Sequence, residues 1–140
     1  MYRFMDRNLD DFDEATRFII RSTRGWIRAV VSRKCPAQAI AQEFLSHNLI
    51  AGMGPFHRVL MALNMNMRLP LAYAGHDCPR VAEGESLILT LIADEAIAEP
   101  ALDALIDRPC AVSAVMESLN ELRAALHIAG LCPQSGSRDA

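Results

Sequence analysis

The stretch "ATRFIIRSTRGWIRAVVSRK", residues 15 to 34, decides the fold. At about 100° per residue, Phe18, Ile19, Trp26, Ile27, Val30 and Val31 fall on one broad arc, while Arg17, Arg21, Arg24 and Arg28 fall on a narrow opposite stripe. That is the period of a helix with one face toward a core and the other toward charge. Gly25 weakens such a helix by about 1 kcal/mol relative to alanine, yet the pattern passes through it in phase. Upstream, Asp11 and Glu14 have the D-x-x-E form of a cap, which predicts that the helix begins there. Arg33 and Lys34 extend the stripe, and no acidic residue stands between Ala15 and Lys34.

Working outward, prolines and glycines divide the remainder into helical units. Pro36 opens "PAQAIAQEFLSH", where its missing amide hydrogen is harmless. Gly52 and Gly54 are expected to end that unit and Pro55 to open the next, "PFHRVLMALNMNMRL". Phe56, Val59, Leu60, Leu63 and Met67 share a face of this third helix, which must stop before Pro70. A fourth helix is predicted from about residue 81 to 98 around the dense apolar run "LILTLIA", followed by a short one in "PALDALID". The last spans about residues 111 to 129, with Val112, Val115, Met116, Leu119, Leu122 and Leu126 inward and Gly130 then Pro133 at its end. Only residues 69 to 75 read as extended. The expectation is an all-α, single-domain bundle of five or six helices, with an N-terminal arm at 1–10, the bundle at 11–133 and a disordered tail at 134–140.

Composition bounds the function. With 140 residues and 51% hydrophobic side chains, the chain can bury one core without disulfides or metal. No apolar run approaches the roughly 18 residues needed to span a bilayer, and the acidic start lacks the apolar segment of a secretion signal. A cytoplasmic location is expected. The four cysteines, Cys35, Cys78, Cys110 and Cys132, form no CxxC pair and all adjoin prolines, as small buried thiols at helix boundaries do. Charge is segregated: residues 1–34 carry a net +3 and residues 35–140 a net −6.

Over residues 56–93 the chain resembles a family of small alphaproteobacterial proteins known only as a domain of unknown function. The likeness is carried by Arg58 and Leu60 to Leu63, then Pro70-Leu71, Cys78-Pro79-Arg80, and Glu83 to Glu85 leading into an apolar helix. Members tend to show more than one cysteine before this Pro-Arg; here His76 and Asp77 precede a lone Cys78. The resemblance implies kinship and no activity.

Three functional readings follow from the residues. The first is a non-enzymatic helical protein of regulatory or adaptor type, contacting a protein partner or a second copy of itself. It would use Arg17, Arg21, Arg24 and Arg28, whose guanidinium forks suit carboxylates and phosphates, or Met61 and Met65, an adaptable apolar pair one turn apart. In the second reading, His76 and Cys78 are soft ligands two apart that could contribute to a zinc site, with the remaining ligands drawn from distant residues such as Cys35, Cys110, Cys132 or His57. The third is a DNA-binding regulator, with helices two and three as a helix-turn-helix and the arginine-rich first helix on phosphates. Met61, Asn64, Met65 and Arg58 are a poor set of base readers on that would-be recognition helix. For catalysis the sequence supplies no P-loop, GxGxxG, HExxH or nucleophile elbow, so an enzyme is the less favoured class.

Overall fold

The computed structural model describes residues 4–67, 73–75, 78–131 and 133. It is all-helical: α1 (Glu14–Val31), α2 (Pro36–Ser46), α3 (Ile50–Asn66), α4 (Glu83–Ala93), α5 (Glu95–Leu105) and α6 (Pro109–Ala129), preceded by a 3-10 turn at Leu9–Asp11. Among the described residues there is no β-sheet, only the isolated bridges Asn8–Arg80 and Met67–Ile106. The expected bundle of five or six helices is therefore present. Its core joins Phe18, Trp26, Phe44, Phe56, Leu87, Leu89 and Leu119, all buried. None of the helices is long and apolar enough to cross a membrane.

Several boundaries differ from expectation, each for a local reason. The first helix is capped by Asp13, whose side chain accepts the Thr16 amide at 2.8 Å, and not by Asp11. Asp11 is used up in the preceding 3-10 turn, which carries Phe12 inward against Phe4 at 5.8 Å. Gly52, Gly54 and Pro55 lie inside α3 and do not divide it from α2. Gly52 serves the approach of α6, since a β-carbon there would meet Leu122 Cδ1 and Ala125 Cβ at 3.3 and 3.4 Å. Pro55 deprives the Ala51 carbonyl of its helical donor, a tolerable loss because Ala51 is exposed to water.

The single helix expected over 81–98 is two. Asp94 ends α4 and its side chain caps α5 by accepting the Ile97 amide at 3.3 Å. The carbonyls left over at the end of α4 are taken by Arg123, whose Nε donates to Ile92 O at 3.0 Å and Nη2 to Leu91 O. Burial lowers the Arg123 pKa, against the opposing pull of Glu95 and Asp94. Pro100 then falls within α5 and does not start it. α6 begins at Pro109, two residues before its expected start, and ends as expected on Gly130 in the left-handed region at φ 74°. The proposed extended segment lies partly outside the described residues; its described part, 73–75, has no regular structure.

The N-terminal arm is built into the fold. Asp6 N donates to Val81 O at 2.8 Å, Val81 N to Arg7 O at 3.0 Å and Leu9 N to Pro79 O at 2.8 Å. Phe4 at its head is wholly buried. The 134–140 tail lies outside the described residues.

Candidate interaction surface

The arginine series of α1 proves not to be one surface. Arg24 is buried, with 2% of its side chain exposed, against the equally buried Glu85 of α4. The two form a bidentate pair, Nε to Oε2 at 2.8 Å and Nη2 to Oε1 at 3.0 Å. Arg24 also donates to the carbonyls of Cys78 and Arg80, each at 2.8 Å. Glu85 in turn accepts the amides of Ala74 and Ala82, both at 3.0 Å. A pair of charges out of water is stable only when its remaining hydrogen-bonding capacity is met, and here both partners are saturated. The expectation that Arg24 belongs to a partner-binding face is thus corrected: it clips the α3–α4 connector, and through it the N-terminal arm, onto α1.

Its neighbours in the stripe are partly committed as well. Arg17 donates to Phe12 O at 2.9 Å, which braces the start of α1. Arg21 pairs with Glu14 at 3.0 Å and lies 3.8 Å from Glu43 of α2, half exposed. Arg28 differs. It is exposed, as are Arg33 and Lys34 just beyond the helix, and among the described residues no hydrogen bond or ion pair engages these three side chains.

Around this end of α1 the apolar surface is also unusual. Val31, expected in the core, is 77% exposed. It shares a shallow hollow with Ile27, Val30, Leu63, Asn64, Met67 and Tyr73, and a neighbouring hollow adds Arg28, Ser32 and Ala74. A hydrogen bond links α1 to α3, Trp26 Nε1 donating to His57 Nδ1 at 2.8 Å. Beyond Asn64, on the outer side of α3, Met65 is 73% and Met61 39% exposed. Val31 and Arg28 thus border hollows at the C-terminal end of α1, with Arg33 and Lys34 following in the chain, and α3 reaches the first hollow through Leu63, Asn64 and Met67 while Met61 and Met65 are exposed elsewhere on that helix.

Sequence reasoning assigned no role to Tyr73, and named Glu85 only within the stretch that carries the family resemblance. Tyr73 lies over the start of α4 so closely that a β-carbon on Gly84 would come within 2.4 Å of its ring. Burial, with the Glu85 carboxylate adding to it, pushes its phenol up to about 12. The signal for Glu85 was legible: an acidic residue running into "SLILTLIA" is headed for the interior and needs a cation.

The zinc reading finds little support among the described residues. His76 lies outside them, and Cys78 directs its thiol at Arg80 O, 3.5 Å away. Cys35 and Cys110 are exposed, and His57 Nδ1 is occupied by Trp26. No three histidine, cysteine, aspartate or glutamate side chains among the described residues gather as metal ligands would. For DNA recognition, α2 and α3 are joined by a short turn, but Arg58 of α3 is turned to α6, 3.3 Å from Ser118 Oγ and 2.9 Å from Glu121. No family profile, curated protein or solved structure matches this chain.

Proposed function

We propose that this is a small, non-enzymatic, cytoplasmic helical protein of regulatory or adaptor type that works by contact with another protein. The contact surface is the C-terminal end of α1 with the outer side of α3. One observation carries the reading: Val31 protrudes largely exposed at the end of α1 beside Arg28, Arg33 and Lys34, three cations that nothing described neutralises, and Met65 protrudes largely exposed from α3. Large apolar side chains held in water forgo roughly 25 cal/mol for each Å² left uncovered, which a partner would recover. Methionine adapts its shape to such a partner, and arginine forks fix orientation on its carboxylates.

The test is cross-linking in native cells followed by recovery of the tagged chain. Replacing Val31, Met61 and Met65 by glutamine, or Arg28, Arg33 and Lys34 by glutamate, should abolish the cross-linked partner while helical content and melting temperature stay close to wild type. Arg21→Gln should leave it intact. Identical cross-links from wild type and both surface variants would overturn the proposal.

A further inference from the structure

We infer that the partner is a second copy of this chain, whose α5 supplies the complementary face. This rests on the reading of the protein as a contact module and names what it contacts. The exposed side of α5 includes Ala96, Ile97, Glu99, Pro100, Asp103 and Ala104. Glu99 and Asp103 stand one turn apart, about 6 Å along the axis, and no described cation pairs with either. Ala96, Pro100 and Ala104 carry little bulk and Ile97 adds an apolar side chain beside them, so a protruding side chain such as Val31 of another copy finds apolar contact on the helix while the two carboxylates flank it.

Within one chain these faces do not meet. The first helix packs on α2 and α4, whereas α5 packs on α4 and α6. The basic tip is held in place at a conformational cost: Arg33 adopts φ 60°, where glycine is the ordinary residue at a helix end. The carbonyls of Ala29 and Val30 are capped there by Lys34 N and Arg33 N at 2.8 and 3.1 Å. Cations at Arg28, Arg33 and Lys34 therefore span the end of α1 and its cap. Like surfaces repel, so the basic end cannot meet itself; it meets α5 of the next copy. Such a head-to-tail contact closes into a ring or continues as a chain. A patch the size of one helix face gives weak, concentration-dependent association, and exposed charges make it salt-sensitive.

Sedimentation velocity on the full chain, from micromolar to millimolar concentration, tests this. In low salt the average mass should rise at least twofold with concentration and return to the monomer in high salt. Arg28→Glu with Arg33→Glu and Lys34→Glu should be monomeric alone, as should Glu99→Lys with Asp103→Lys, while an equal mixture of the two variants should regain association. Circular dichroism confirms that each is folded. A wild type that stays monomeric throughout, or self-association indifferent to both charge reversals, overturns the second copy as partner. That outcome leaves the broader contact reading to the cross-linking test, which fails only if the surface variants keep their partners.

Discussion

Arg24 and Arg28 are one turn apart on the same helix and carry the same group, yet they belong to different parts of the molecule. The first is sealed under the connector and saturated by Glu85, Cys78 O and Arg80 O. The second stands in water at the edge of an apolar patch. What separates them is cover. A helix wheel places a side chain on a face, but the chain that covers that face arrives from far away in sequence.

Breaking the clip should have the largest effect. Arg24→Ala leaves Glu85 buried without its cation, and the expected loss is about 3 to 5 kcal/mol in urea denaturation. Arg24→Lys keeps the charge but cannot reproduce the fork or reach both carbonyls, so a loss of about 2 kcal/mol is expected. Next is the close approach beneath Tyr73. Gly84→Ala forces the ring away and should cost about 1 to 3 kcal/mol; adding Tyr73→Ala should make the glycine substitution nearly neutral. The double variant separates ring displacement from any change in the helix.

A smaller effect is expected from alkali. Because the folded state holds the Tyr73 phenol at about 12, above its ordinary value near 10, the folded protein binds the proton more tightly than the unfolded chain. The associated stability is complete below about pH 10 and is lost as pH rises toward about 12. Denaturation midpoints across that window should fall less steeply in Tyr73→Phe, and absorbance titration should lose its late-ionising phenol. Smallest of all, Arg28→Ala should change stability by no more than about 0.5 kcal/mol. Equal losses from Arg24→Ala and Arg28→Ala would erase the distinction between the two sites.

The fold was legible where pattern is local. The arc of Phe18, Ile19 and Trp26, the inward face of α3 and the Gly130 terminus of α6 all depend on neighbours three or four residues away. Punctuation misled where tertiary contact overrode it. Gly52 reads as a stop but is the point where α6 comes close, and Pro100 reads as a start but sits in a helix already begun by Asp94. The candidate surface was half visible: Arg28, Met61 and Met65 could be read as exposed candidates, while Val31 looked like core. Arg24 could not be told from Arg28 by its position, since their separation is made by Cys78, Arg80 and Glu85, dozens of residues downstream.

That distance has a consequence for how the protein comes into being. Glu85 follows Arg24 by 61 residues. At translation rates of about 5 to 20 residues per second, roughly 3 to 12 s pass between the synthesis of the two. Throughout that interval α1 has no buried counter-ion, and for all but its last four residues the N-terminal arm has no Val81 to pair with. The nascent chain therefore presents the continuous arginine stripe that the finished protein has divided.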